Sequence, residues 1–210
     1  MELIASNICK TIDKKIILNN VNLKLQSGQI YGFIGKNGAG KTMLFRALSG
    51  LMSIDNGSVL LDGKQLHKDF DVLPNLGIMI ENAGLYPELS GFENLRRIAA
   101  IRKIANESAI KEYIKIVGLD PDDKRPFRKY SLGMKQRLIF AQAVFENQKI
   151  LMLDEPTNAL DDSGVKMVRD LLLEKKKDSI ILIASHNSED INLLADEVYR
   201  VSDGCFIKEG

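Results

Sequence analysis

The chain has 210 residues, 45% of them hydrophobic and 27% charged, with a formal net charge of +1. That size suits one domain with an inserted lobe, and the near-neutral charge argues against nucleic acid as the main partner. Cys9 and Cys205 are its only cysteines, so a disulfide framework or a zinc site is not expected and a reducing cytosol is the natural compartment. The first residues lack the pattern of a signal peptide, and no apolar run approaches the ~20 residues needed to span a bilayer.

Leu3, Ala5 and Ile8 open the first predicted strand, and Val21, Leu23 and Leu25 alternate with polar residues in the second. Ser27-Gly28 turns the chain into a buried strand, Ile30 to Ile34. Gly35-Lys36-Asn37-Gly38-Ala39-Gly40-Lys41-Thr42 follows, and then a helix from Met43 with Gly50 as its stop. Asp55-Asn56-Gly57 reads as a turn before a short strand, Ser58 to Leu61, and Leu76 to Ile80 is another buried strand.

The texture changes near Pro87. Ser90-Gly91-Phe92-Glu93 is a capping-box pattern, followed by helical periodicity at Leu95, Ile98, Ala99 and Ile101. A further helix is predicted from Asn106 to a stop at Gly118, and another from Leu132 to about Phe145. Residues 85–147 are thus an all-helical insertion. Continuous apolar runs return at Ile150–Leu153 and Ile180–Ala184, as parallel strands buried on both faces require, with a helix around Val165–Lys175 between them. Asp203-Gly204 turns a terminal hairpin. The order predicts an α/β fold.

The octapeptide ending at Thr42 fits G-x-x-x-x-G-K-[ST], the phosphate-binding loop, between the strand and the helix that this motif needs. Its glycines let amides approach a ligand, Lys41 adds a movable cation for the β- and γ-phosphates, and the Thr42 hydroxyl is placed for Mg²⁺. The competing reading is a Gly-rich turn that caps a helix. The strand at Ile150–Leu153 ends in Asp154-Glu155-Pro156. Carboxylates at such a strand end point into the crevice where parallel sheets bind ligands. Asp154 is then the Mg²⁺ holder, and Glu155 orients or deprotonates an attacking water. A plain acidic turn before proline is the alternative. His186 follows the strand Ile180–Ala184 and reaches the same crevice, whereas His67 reads as a surface residue.

Taken together, these motifs resemble the ATP-binding cassette (ABC) ATPases over almost the whole chain. Tyr130-Ser131-Leu132-Gly133-Met134-Lys135-Gln136-Arg137 stands where that family has its signature. Asp154-Glu155 matches the Walker B acids, Thr157-Asn158-Ala159-Leu160-Asp161 looks like the D-loop, and Ala184-Ser185-His186 resembles the switch strand and its histidine. The resemblance implies a P-loop NTPase core with a mainly parallel sheet, an N-terminal antiparallel β region and an inserted all-helical subdomain. The core and β region would take residues 1–84 and 148–210, and the helical subdomain 85–147.

For the site, the resemblance implies ATP on Gly35, Lys36, Asn37, Gly38, Ala39, Gly40, Lys41, Thr42 and Met43. Mg²⁺ would be held by Thr42, Asp154 and Glu81, with catalysis by Glu155, His186 and Glu81. Ser131, Leu132, Gly133 and Met134 would complete the ATP site of a second cassette, identical or not, bound head-to-tail, with Asp161 at the shared interface. Ser131 by itself also reads as an ordinary helix cap.

The sequence departs from the family at several points. Glu81 stands where the family usually has Gln. Leu132 and Met134 replace a usual Gly and a frequent Gln, and the adenine-stacking aromatic falls near Ile12, which is not aromatic. A carboxylate at position 81 meets Mg²⁺ or its water but donates no hydrogen bond unless protonated.

In the family's transporters a membrane permease docks beside the loop that begins at Glu81, which here places the contact near Glu81–Leu95. Leu85, Tyr86 and Phe92 either floor that groove or pack within the lobe. This stretch looks most like bacitracin- and lantibiotic-type exporter cassettes. The implied protein is a cytoplasmic ATPase, peripheral on the inner face of the cell membrane, that powers transport by a separate transmembrane subunit. The alternative is a soluble ABC assembly or scaffold factor.

Overall fold

Alternation of apolar and polar side chains builds the first sheet. In a computed structural model, which describes residues 1–80, 84–103 and 105–209 without the side chain of Asp190, β1 (Glu2–Ile12) and β2 (Lys15–Gln26) form an antiparallel pair. Leu3, Ala5 and Ile8 of β1 and Val21, Leu23 and Leu25 of β2 are buried. β4 (Asn56–Leu61) and β5 (Lys64–Gln65) extend the sheet in the order β2-β1-β4-β5. Asn56 and Gly57 belong to β4 rather than to the turn before it, because Gly57, at φ 97, lies against the carbonyls of Ser6 and Asn7.

The second sheet has the order β10-β9-β3-β8-β7-β6, with β3 (Gln29–Ile34), β6 (Leu76–Met79), β7 (Ile150–Asp154), β8 (Ile180–Ser185), β9 (Glu197–Ser202) and β10 (Cys205–Lys208). Its pairs are parallel except β9 with the terminal β10. Every residue of β7 and β8 is buried. Period-two alternation sends their side chains to two cores. Ile150, Met152, Ile180 and Leu182 face Leu44, Phe45 and the antiparallel sheet. Leu151, Leu153, Ile181 and Ile183 face a core shared with the helices downstream of β6.

Those helices are α2 (Gly91–Arg102), α3 (Glu107–Ile116) and α4 (Leu132–Val144), and no strand interrupts them among the described residues. Ser90 caps α2 with the full box: its hydroxyl accepts from the Glu93 N–H, and the Glu93 carboxylate accepts from the Ser90 N–H. Asn106 caps α3. Buried Asn94 spans the approach to α2, accepting from the Tyr86 N–H at 2.7 Å and donating to the carbonyls of Tyr86, Leu89 and Ser90.

α5 (Asp162–Lys175) joins β7 to β8. It starts earlier than the apolar pattern alone suggests, because Asp161 supplies its cap. α6 (Ser188–Leu194), a short helix that the sequence pattern did not reveal, packs across Gly32 through Ile191. The turn at Gly204 bridges the two sheets: its N–H donates to Ala39 O at 3.1 Å and its carbonyl accepts from the Asn19 N–H at 2.9 Å. No helix of the described residues is long and apolar enough to cross a membrane.

Candidate functional site

The carboxyl ends of β6 and β7 and the loop that follows β3 line one cleft of about 760 Å³. From β3 the chain runs into the glycine loop and then α1 (Lys41–Ser49), which Gly50 ends in a left-handed conformation. Gly40, at φ 114, adopts backbone that a side chain disfavours, and a Cβ there would approach Ile17 O to 2.9 Å. Gly38, at φ 80, has open space around it. No side chain caps α1. The Lys41 ammonium folds back over the loop, donating to the carbonyls of Gly35 at 2.5 Å and Lys36 at 3.2 Å, and the residue is only 6% exposed.

At the cleft floor the Thr42 hydroxyl donates to Oδ2 of Asp154, the last residue of β7. Glu155, at φ 50, turns the chain sharply. Its N–H donates to Ala184 O, so the acid following β7 is fastened to the end of β8. Its carboxylate accepts from the Ser185 hydroxyl at 3.0 Å and the His186 N–H at 2.8 Å, and it faces His186 Nδ1 at 2.8 Å. The structure therefore gathers Lys41, Thr42, Asp154, Glu155 and His186 into one place. Gly35, Lys36, Asn37, Ala39 and Met43 lie in the same loop and the opening turn of α1. Glu81 lies outside the described residues.

Ser131 caps α4, its hydroxyl accepting from the Met134 N–H at 3.2 Å. Leu132 is 69% exposed beside it, and Met134 packs against the core. Gly133 lies close to Ala159 O. Asp161 caps α5: one carboxylate oxygen takes the Gly164 N–H at 3.1 Å and an Arg137 guanidinium N–H at 2.6 Å, and the other takes the Ser163 hydroxyl. The Ser163 hydroxyl, the Gly164 amide and Arg137 together hold the Asp161 carboxyl below its ordinary value.

Sequence reasoning missed several residues that line the cleft: Ile17, Arg46, Gln136, Ile139 and Asn158. Ile17 of β2 supplies the apolar wall, and Ile12, expected near the base, is not among the lining residues. Gln136 and Asn158 lie within the signature and D-loop stretches without having been read as cleft residues, and no motif marks Ile17, Arg46 or Ile139, which reach the cleft through packing between distant segments. In the loop before α2, Leu85 is buried in the core shared by the helices. Tyr86 is 54% exposed beneath the Arg97 guanidinium, 5.3 Å from the ring centre. Phe92 is half-buried against the same core, and His67 is exposed.

A family model described as ABC transporter matches residues 18–158. Among curated proteins, the uncharacterized ABC transporter ATP-binding protein YybJ of Bacillus subtilis is 47% identical over 94% of this chain and 91% of its own length. The lantibiotic transport ATP-binding protein SrtF of Streptococcus pyogenes is 37% identical over 97% and 88%. The bacitracin transport ATP-binding protein BcrA of Bacillus licheniformis is 38% identical over 97% and 70%. Among solved structures, a bacterial ABC transporter cassette in dimeric form superposes with a TM-score of 0.84 at 21% identity, over 96% of this chain and 95% of that one. With its glycine loop and paired acids at one cleft, and His186 bonded to the second of those acids, the chain belongs to the ABC transporter family as an ATP-binding protein.

Proposed function

We propose that this protein hydrolyses MgATP between two head-to-tail cassettes and that closure of the pair drives a separate membrane permease. The observation that carries the reading is the Glu155 carboxylate, held by Ser185 and His186 one residue beyond Asp154 and at the cleft that also receives Lys41 and Thr42. The donor set fits a triphosphate with its metal. Lys41 already grips two loop carbonyls that an anion can displace, and an alcohol and a carboxylate, the hard oxygen ligands that Mg²⁺ prefers, meet at Thr42 and Asp154.

In this reading the loop amides from Gly35 to Met43 cradle the phosphates, and Lys41 turns outward to neutralise them. Thr42 and Asp154, joined by Glu81, would hold Mg²⁺, which would supply positive charge to offset that on the phosphate oxygens. Glu155 orients the attacking water and accepts its proton, while His186 keeps that carboxylate in line. Ile17 offers the base an apolar surface, and no aromatic ring stands among the described residues that line the cleft.

Ser131, Leu132, Gly133 and Met134 meet the ATP of a second cassette, identical or different, with Asp161 near the shared interface. The related cassette solved as a dimer supports this assembly. Transport is supported by the relatives named for lantibiotic and bacitracin transport. The permease docks near Glu81–Leu95 at the junction of a core (1–84 and 148–210) with a helical subdomain (85–147), on the inner face of the membrane.

The test is Glu155→Gln in the purified chain. ATP binding is expected to persist while phosphate release falls by roughly 100-fold or more. Equal turnover in the two proteins would refute Glu155 as the base. Co-purification with a multi-span membrane protein from detergent extracts tests the transport role, and a cassette that never leaves the soluble fraction would refute it.

A further inference from the structure

We infer that Gln136 is a positioning residue for Glu155, making the geometry of that carboxylate depend on where α4 stands; this rests on the ATPase reading above. Glu155 occupies left-handed backbone, which residues with a side chain disfavour, so its turn persists only while its neighbours hold it. Its N–H is held by Ala184 O and its carboxylate by Ser185 and His186, all at the end of β8. Its carbonyl accepts from the Asn158 N–H at 3.2 Å, within the same turn, and from Gln136 Nε2 at 2.7 Å. Of these partners only Gln136 belongs to the helical segment.

The same helix grips the loop again further on. Arg137 bonds the Asp161 carboxylate at 2.6 Å and the Val117 carbonyl at 3.0 Å, tying the far end of the loop to α4 and to the end of α3. Between these anchors Gly133 lies against Ala159 O, so close that a Cβ would come within 3.1 Å of it. α4 therefore meets the stretch from Glu155 to Asp161 at its start, middle and end.

α4 is also one continuous helix of 13 residues, capped by Ser131. Leu132 and Gln136 stand one turn apart on the same face. The exposed end of that face is the surface proposed to meet the partner's ATP, and its next turn holds the peptide of this chain's own general base. A displacement of the α4 N-terminus carries Gln136 with it and leaves the Glu155 carbonyl with only the longer bond from the Asn158 N–H. The turn then relaxes and the carboxylate leaves its line with Ser185 and His186. Each cassette thus reads the nucleotide bound by its neighbour through α4, with the Gln136 amide as the contact that reaches Glu155 itself.

The test compares the full-length wild type, Glu155→Gln, Gln136→Leu and Gln136→Lys in ATPase titrations. Gln136→Leu fills the same space without a donor, and Gln136→Lys restores a donor of similar reach. The expected result for Gln136→Leu is a kcat lowered about tenfold or more, with KM for ATP within about twofold of wild type. Its Hill coefficient falls toward one. Gln136→Lys recovers most of the lost kcat, and both variants keep the wild-type melting temperature, because Leu138, Phe140 and Val144 anchor α4 in the core.

Wild-type kcat and Hill coefficient in Gln136→Leu would overturn the inference while leaving the ATPase reading intact. So would equal losses in the Leu and Lys variants, or a loss that tracks a lowered melting temperature, since each marks a packing role. A wild-type protein that binds ATP yet turns over no faster than Glu155→Gln overturns the ATPase reading, and the inference with it.

Discussion

His186 presents two nitrogens to one oxygen: its backbone N–H and its ring Nδ1 both lie 2.8 Å from Oε1 of Glu155. The contact joins the ends of β7 and β8, so the carboxylate is aimed by the sheet rather than by a loose loop. The other carboxylate oxygen takes the Ser185 hydroxyl, which in turn accepts the Asn187 N–H at 3.0 Å. A Ser185→Ala substitution removes one donor from a charged acceptor without disturbing β8. It is expected to lower kcat about tenfold with little change in KM for ATP, as steady-state ATPase kinetics would show.

Asn94 is 1% exposed, and its side chain closes the loop at Tyr86, Leu89 and Ser90. Asn94→Leu leaves those backbone groups without their partner and is expected to cost about 2–4 kcal/mol in denaturant unfolding. Asn94→Asp keeps the acceptor for the Tyr86 N–H but turns a negative charge on three carbonyls, so it destabilises as well. An Asp variant as stable as wild type would refute this reading of the amide.

Gly77 in β6 lies so near the backbone carbonyl of Ala143 in α4 that a Cβ would overlap it. Gly77→Ala must push helix and strand apart, with an expected loss of about 3 kcal/mol. Gly63, at φ 79, has open space around it. Gly63→Ala therefore carries only the backbone penalty of about 1 kcal/mol. Thermal unfolding of the two variants should rank them in that order.

Burial raises the Glu146 carboxyl above its ordinary value of 4.5, against the opposing pull of Arg102 at 3.4 Å. The native state then holds a proton that the unfolded chain releases more readily. Stability from this group is complete below pH 4.5 and is lost as pH rises through the higher native value. Glu146→Gln keeps an acceptor for Arg102 and removes the buried charge. It should raise the melting temperature at neutral pH and bring no gain near pH 4.

The glycine loop, the paired acids Asp154 and Glu155, and His186 could be found in the sequence because each rests on local spacing: a glycine pattern, a strand that ends in carboxylates, a histidine one step past another strand. The capping box at Ser90 was legible for the same reason. Gln136, Arg46 and Ile17 were not, since each comes to the cleft from a helix or strand whose approach depends on the whole packing. Ile12 was expected beside the base, yet Ile17, from the next strand, lines the cleft. The β1–β2 register is shifted between Ala5 and Ile8 and again before Thr11, which counting along the chain cannot foresee. α6 escaped notice because its seven residues are mostly polar and, among the described side chains, Ile191 and Leu194 are the buried ones.

The bond between Gly204 and Ala39 has a bearing on synthesis. During translation the nascent chain makes its glycine loop early, but β3 must wait for β8 and β9 to flank it, and the loop waits for the Gly204 turn to close over it. A ribosome that has reached only α5 has made β1, β2, β4 and β5 with the strands they pair with, but β3 still lacks both of its neighbours. Stabilisation by nucleotide is therefore expected only once β8, β9 and the Gly204 turn are made, and chains arrested before them should gain little protection from it.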